Sequence, residues 1–442
     1  MGAPQLRRKC RSLLSGGDPA ACAKTGAEAC PTMAGHRFDT CGMDRSVKSR
    51  LGFSRPVVLT FVRYYLPGYK SGGPVRTIAN LVAALGDELD FRIVTSDRDA
   101  TDTMPYPHLD GRSEWLDVRK AKVLYLSPSQ MKLRNIARII GEVPHETLYL
   151  NSFFDPIFTL KPLLARRLGL APRNRCIVAP RGEFSPAALD LKAAKKRVFL
   201  AVSRGAGLYR DLIWQASSEH EAGDIGRTIG GIASDIRVSA NLSAQVDGKS
   251  EFPHRPREQG EPLRICFLSR ISPMKNLDFA LEVLRKVRAS VRFDIYGLVD
   301  DQDYWKICQN ISSILPNNIS TSYLGIVDHE DVLATLSRYD LFFLPTRGEN
   351  YGHAIIESLA AGTPVLITDS TPWRDLSNKG IGWDLPLDDG KAFAHCIDYV
   401  SALSQEECKR SRDLAVAFFR EHQKSLKTIA DNRALFTRPT GR

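Results

Sequence analysis

Short apolar runs alternate with helix-spaced stretches along most of this chain, and that alternation narrows the fold more than any other feature. Pro56-Val-Val-Leu-Thr-Phe-Val is β-branched and apolar, as a parallel strand buried on both faces must be. A loop from Pro67 to Pro74 follows. Val75, Ile78, Leu81, Val82 and Leu85 then fall at helical spacing, before the strand-like run Phe91–Thr95. Similar runs stand at Val123–Leu126, Thr147–Leu150 and Cys176–Ala179. A second series passes through Leu263–Ser269, the helical Leu277–Val287, Phe293–Tyr296, Leu341–Pro345 and Val365–Thr368. Between the two series, from Asn241 to Pro262, the composition turns polar, charged and proline-bearing. The pattern predicts an α/β chain of two Rossmann-like domains, residues 53–250 and 263–442, joined by a linker at 251–262. Beyond Lys391 the chain reads as terminal helices of the second domain. Ligands of such sheets bind at the carboxyl ends of the strands, so a cleft between the domains is the expected site.

The balance of 43% hydrophobic and 25% charged residues excludes a wholly disordered chain, a collagen and a small disulfide scaffold. No apolar run approaches the roughly 20 residues that span a bilayer. The net charge is +11, and residues 1–50 supply a surplus of five cations. Residues 1–52 read as a disordered basic extension, or as sequence ahead of a later start at Met33 or Met43. A basic balance favours phosphate-bearing partners. No aromatic-basic module of the RNA-binding kind is present, so nucleic acid is not the expected one. The nine cysteines are scattered without a C-x-x-C pair, which suits a reducing cytoplasm. The basic start has no apolar segment behind it, so it does not read as a secretory signal.

The most informative segment is Arg347-Gly-Glu-Asn-Tyr-Gly-His-Ala-Ile-Ile-Glu, running on to Gly362 and Pro364. It follows a strand, so Arg347–Gly352 lies at a carboxyl end. A helix should begin near Gly352 or His353 and stop at Gly362. Its first-turn N–H groups make a ready phosphate site. Glu349 and Glu357 would repel a phosphate, and make better sense as acceptors for sugar hydroxyls. Arg270 and Lys275, in Ser269-Arg-Ile-Ser-Pro-Met-Lys-Asn-Leu, fall in the loop after the second domain's first strand. There they can neutralise a diphosphate, arginine as a planar fork and lysine as a point charge. Gly72 and Gly73, in Lys70-Ser-Gly-Gly-Pro-Val-Arg, would let the backbone approach a phosphate; the spacing is neither G-x-G-x-x-G nor a Walker A loop. Pro180-Arg-Gly-Glu and Ser217-Ser-Glu-His-Glu also follow strand-like runs and could face the cleft. Glu219-His220-Glu221 lacks a second histidine at helical spacing, so no metal is expected. Lys192, Lys195, Lys196, Arg197 and Arg204, interleaved with Leu191, Val198, Phe199 and Leu200, read either as a contact for an anionic membrane or as a solvated helix.

Taken together, Val57 to Asp389 resembles the retaining glycosyltransferases of family four, which have the GT-B fold. The carriers are Glu349-x7-Glu357 around Asn-Tyr-Gly-His, the Ser269–Leu277 loop, Pro180-Arg-Gly, Ser218-Glu-His-Glu, Gly297-Leu-Val-Asp and Ser370-Thr-Pro-Trp-Arg-Asp. The resemblance implies an acceptor-binding first domain and a nucleotide-sugar-binding second one. It implies that Arg270 and Lys275 hold the donor diphosphate, Glu349 meets donor sugar hydroxyls and Glu357 the ribose. Asn350, Tyr351, Gly352, His353 and Ala354 would face the donor, with Gly72 and Gly73 near the phosphates and acceptor. Tyr351 stands where phenylalanine is commoner, and no histidine of the first domain matches the one often found beside the donor sugar. The implied activity is transfer of a sugar with retained anomeric configuration, without a metal or any cofactor beyond the nucleotide-sugar donor. The acceptor would be a glycan or lipid-linked hydroxyl, and the setting cytoplasmic, with peripheral contact at the inner membrane face. Sugar-nucleotide epimerisation and a catalytically silent binding protein are the alternatives on the same fold.

Overall fold

The computed structural model describes residues 55–437, except 108, 110–113, 191–192, 245–253, 259 and 424. The proposed extension at 1–52 lies outside the described residues, as does the first part of the 251–262 linker. The first domain holds β1 (Val57–Phe61), β2 (Asp90–Ser96), β3 (Leu116–Val118), β4 (Ala121–Leu126), β5 (Thr147–Asn151), β6 (Arg175–Ala179), β7 (Ile213–Ala216) and β8 (Asp235–Val238). Their order in the sheet is β3-β4-β2-β1-β5-β6-β7-β8, parallel except for β3. Alternate residues of each strand enter different cores. Val58 joins Phe91, Ile93 and Val123 on one face, while Leu59 and Phe61 join Val94, Leu124 and Leu150 on the other. That double burial is why these strands read as unbroken apolar runs.

Helix α1 (Gly73–Leu85) covers the first face with Ile78, Leu81, Val82 and Leu85. It starts two residues earlier than its apolar spacing suggested, because Pro74 fits the first turn of a helix. The other face carries α2 (Leu133–Glu142), α3 (Lys161–Arg167), α4 (Pro186–Asp190), α5 (Ala193–Gly205) and α6 (Glu219–Ile229).

The second sheet contains β9 (Leu263–Leu268), β10 (Val291–Tyr296), β11 (Ile319–Tyr323), β12 (Leu341–Leu344), β13 (Val365–Thr368) and β14 (Gly382–Leu385), all parallel, in the order β11-β10-β9-β12-β13-β14. Its core is one cluster that takes in α7 (Leu277–Leu284), α8 (Gln302–Ser312), α9 (Val332–Leu336), α10 (His353–Ala360), α11 (Gly390–Ser401) and α12 (Gln405–Gln423).

The terminal helices, assigned from sequence to the second domain, divide between the two. The last of them, α13 (Leu426–Phe436), returns to the first sheet. Phe436 sets its ring edge-on against Tyr149 at 5.0 Å and Phe91 at 6.0 Å, and Arg433 pairs with Glu88 at 2.5 Å. Helical periodicity identifies such a segment but carries no information on which domain its apolar face meets. Among the described residues no helix is long and apolar enough to cross a membrane.

Candidate active site

The loops after β9 and β12, neighbours in the sheet, are tied to each other. Asn276, left-handed at φ 63°, ends the first loop and donates from Nδ2 to the Pro345 carbonyl at 3.0 Å; its Oδ1 accepts Arg347 Nε at 3.1 Å. Asparagine tolerates that backbone region better than other residues with a Cβ. Thr346 Oγ1 donates to the Met274 carbonyl at 3.2 Å. This stitching brings Lys275 Nζ into hydrogen-bond contact with Glu349. Gly352 caps α10 at φ 78°, and a Cβ there would meet Ile355 Cδ1 at 2.7 Å, so only glycine starts this helix as it stands. The helix starts at His353, as the sequence suggests.

A cleft of about 1770 Å³ opens between the domains. Ten of the eleven residues singled out from sequence line it: Gly72 and Gly73 from the first domain, and Arg270, Lys275, Glu349, Asn350, Tyr351, Gly352, His353 and Ala354 from the second. Beyond Gly72 and Gly73 the space is open where a Cβ would point, which leaves room for a ligand to approach the backbone closely. Their loop is anchored from below by buried Asp99, whose Oδ2 accepts the N–H groups of Tyr69 at 2.7 Å and Lys70 at 3.0 Å.

The eleventh, Glu357, is buried behind the wall and does not line the cleft. Its carboxylate is bonded to Arg76 of the first domain. Burial pushes the Glu357 carboxyl above its ordinary range, and Arg76 works against that rise. One helical position further along, Thr77 Oγ1 lies 2.9 Å from His353 Nε2. Burial, followed by Arg76, Arg181 and His329, pushes the His353 imidazole down to about 3, so the ring is neutral at ordinary pH. Two cations of the second-domain wall are also satisfied internally: Lys275 by Glu349, and Arg270 by Asp300 at 2.9 Å.

The first-domain wall is built differently. Arg181 donates to Asn151 Oδ1 at 2.8 Å, to Asn241 Oδ1 at 2.8 Å and to the Tyr149 hydroxyl, all uncharged groups. Glu183 and Glu221 tie loops together. Glu183 accepts Ser152 Oγ at 2.7 Å and the Phe154 N–H at 3.2 Å; Glu221 accepts the Gly182 N–H at 2.6 Å and the Ser217 N–H at 2.7 Å. Ser217 Oγ crosses the cleft to Asn350 Oδ1 at 2.8 Å. The Asn151-Ser-Phe-Phe-Asp segment contributes Asn151 to the Arg181 network and buries Phe153 in the core. Among the described residues no group of three or more His, Cys, Asp and Glu is placed to hold a metal ion. The Pro180-Arg-Gly-Glu segment does face the cleft, with Arg181, Gly182 and Glu183 in its lining. Sequence reasoning missed Arg76 as the partner of Glu357, although it stood inside a segment already singled out, and missed Arg119 and His329 as cleft residues, which left no local signal.

Two sheets of this kind facing a common cleft define a GT-B fold, and solved structures bear this out. Anabaena Alr3699/HepE, solved in complex with UDP and glucose, superposes with a TM-score of 0.62 at 15% identity, over 86% of this chain and 98% of that one. Sucrose-phosphate synthase from Thermosynechococcus elongatus gives 0.60 at 16% identity, over 87% and 99%. WaaG, a glycosyltransferase involved in lipopolysaccharide biosynthesis, gives 0.56 at 11% identity, over 87% and 100%. By sequence, residues 249–414 match the family model "Glycosyl transferases group 1". An uncharacterized 41.2 kDa protein in the cps region of Klebsiella pneumoniae is 24% identical over 262 residues, 57% of this chain and 68% of that protein. Phosphatidyl-myo-inositol mannosyltransferase of Mycobacterium leprae is 33% identical over 95 residues, 21% of this chain and 25% of that protein. A putative colanic acid biosynthesis glycosyltransferase WcaL of Salmonella typhimurium is 27% identical over 159 residues, 33% and 38%. The matched stretch thus spans two thirds of the Klebsiella protein but well under half of the other two.

Proposed function

We propose that this protein is a retaining glycosyltransferase that moves a sugar from a nucleotide-sugar donor to a hydroxyl of a glycan or lipid-linked acceptor, in the assembly of a polysaccharide or glycoconjugate. One observation carries the reading. Arg270, Lys275, Glu349 and the first turn of α10 share one wall at the carboxyl ends of β9 and β12, facing the Gly72-Gly73 loop.

Breaking the anomeric bond builds positive character on the sugar and negative charge on the departing diphosphate. Arg270, Lys275 and the N–H groups of His353 and Ala354 are fixed before the reaction, and offset that negative charge without reorganisation. The Lys275–Glu349 contact gives both groups a second duty. A diphosphate draws Lys275 away and leaves the Glu349 carboxylate to accept donor sugar hydroxyls. Glu357 would meet the ribose by exchanging Arg76 for it. No carboxylate stands out as a glycosidase-style nucleophile, so we assign retention to leaving-group assistance on the same face. The donor is the only small molecule required, with no metal. A cytoplasmic setting fits the scattered cysteines, of which Cys176, Cys266, Cys308 and Cys396 are buried.

Neighbouring structures hold UDP and UDP-glucose, which supports uridine nucleotides as the first probes. Calorimetry with UDP and other nucleoside diphosphates, followed by product analysis in EDTA, tests the reading. The expected outcome is diphosphate binding and a new glycosidic bond of unchanged anomeric configuration. Free epimerised sugar would replace transfer by epimerisation, and binding without turnover would leave a silent binding protein.

A further inference from the structure

Residues 161–205 contain eleven Lys and Arg against only Glu183 and Asp190, a surplus of nine in a chain whose total is +11. After the surplus of five at residues 1–50, the remainder of the sequence is therefore net acidic. Part of the 161–205 surplus lies elsewhere, since Arg181 belongs to the cleft wall and Arg175 to β6; the rest lies in and around the layer that contains α3 and α5. Phe154, which precedes α3, stands 5.4 Å from Phe199 of α5. Lys196 turns inward, lying over the Phe154 ring at 5.2 Å and donating to the Ala188 carbonyl, while Arg204 is exposed and donates to the Thr228 carbonyl. Lys192 lies outside the described residues.

What remains outside is mixed in character. Arg167, Lys195 and Arg197 are exposed, and none has an ion-pair partner among the described residues. Among them stand Val198 at 64% exposure, Val202 at 66%, Leu168 at 57% and Leu170 at 51%. On α5, Val198 and Val202 share one outward face with Ala194 and Ala201, with Lys195 on one side and Arg197 on the other. Large aliphatic side chains left in water among unpaired cations have one partner that suits both: a surface presenting anionic groups above an apolar interior.

We propose that the outer face of α3 and α5 docks on an anionic lipid bilayer. Nucleic acid would satisfy the cations but offers these valines and leucines no dry environment. The face is continuous with the cleft, since Lys196 ties α5 to α4, and Pro186 and Ala188 of α4 line the cleft wall. On the glycosyltransferase reading, this places the acceptor in the membrane; the docking itself stands without that reading.

The test is flotation of the full-length chain with vesicles of phosphatidylglycerol and phosphatidylcholine in equal parts, and with phosphatidylcholine alone. Binding to the anionic vesicles only, weakening with salt, is expected. Each removed cation should lower partition roughly fivefold, so Lys195→Glu with Arg197→Glu should lower it well over tenfold. Val198→Asp with Val202→Asp should also release the protein, and Arg167→Glu provides an independent variant on α3. All three variants should keep the wild-type circular dichroism and UDP affinity. The proposal is overturned by equal binding to neutral vesicles, by no vesicle binding, by binding that ignores these substitutions and so belongs elsewhere in the chain, or by vesicle-free capture of a duplex oligonucleotide that the same variants abolish. Failure of the wild type to bind any nucleotide would remove the function proposed above and leave this surface standing.

Discussion

The two walls of the cleft handle their central charges differently. On the second domain Lys275 has Glu349 and Arg270 has Asp300 at hand, while Arg347 rests on the Asn276 amide. On the first domain Arg181 leans on amides and a hydroxyl, and Arg76 takes its carboxylate from across the cleft. A wall neutralised within itself can exchange one anion for another, a carboxylate for a phosphate, with little change in net charge. A wall whose arginine reaches over to Glu357 instead couples its own state to the distance between the domains.

The largest effect should come from breaking the self-neutralised wall. On the proposed function, Lys275→Ala removes a charged hydrogen bond to the diphosphate, worth roughly 1.5–3 kcal/mol, so transfer efficiency (kcat/KM) should fall ten- to a hundredfold or more. It also leaves Glu349 without its partner, so some stability goes with it. Adding Glu349→Gln should restore stability but not transfer. If the double variant recovered transfer, the pair would be scaffold.

Arg76→Met probes the bridge between the walls. The Glu357 carboxyl is held above its ordinary 4.5. An acid of that kind contributes stability that is fully present below its unfolded value and fades as pH rises through the folded one. Without Arg76 the carboxyl should rise further. Both proteins should therefore lose stability together as pH rises past 4.5, and the variant should fall behind once pH passes the raised value of the wild-type carboxyl, by roughly 1–3 kcal/mol at neutral pH. Urea unfolding across a pH series checks this, and a deficit independent of pH would assign Arg76 to packing alone.

At neutral pH His353→Asn should give the smallest change. A histidine depressed from 6.5 to about 3 contributes stability above 6.5 that is lost as pH falls toward the folded value. Replacing it should flatten the acid limb of the stability curve by at most about 1.4 kcal/mol per pH unit, and leave stability above 6.5 nearly unchanged. An unchanged acid limb would mean that the ring is not held neutral by its surroundings.

Much of this molecule was legible because its information is local. Strands buried on both faces are apolar through most of their length, so β1, β9 and β12 and the middle of β2 announce themselves. The Glu349–Glu357 segment and the Ser269–Leu277 loop are each contiguous, so a single stretch contains the strand end, the glycine and the charges together. What stayed hidden depends on partners far apart in sequence. Arg76 and Glu357 are 281 residues apart, and Asp99 lies beyond a strand from the glycine loop that it anchors. The inward turn of Lys196 depends on Phe154 and on the Ala188 carbonyl, which a helical wheel does not contain. The destination of α13 was hidden for the same reason.

That returning helix changes what the two domains can do. The outgoing chain leaves the first domain near Asn241, and the final helix enters it alongside. Gln423 Nε2 donates to the Ala244 carbonyl at 3.1 Å, and Asn432 Nδ2 to the Ala240 carbonyl at 2.8 Å. Two lobes tied by one thread can swing and twist in every direction. Tied by two threads lying side by side and cross-linked, they form a hinge with an axis, and the softest motion left is to open and close about it. The cleft of a chain cut before Leu426 would lose that guidance, and Phe91 and Tyr149 would lose the ring that covers them.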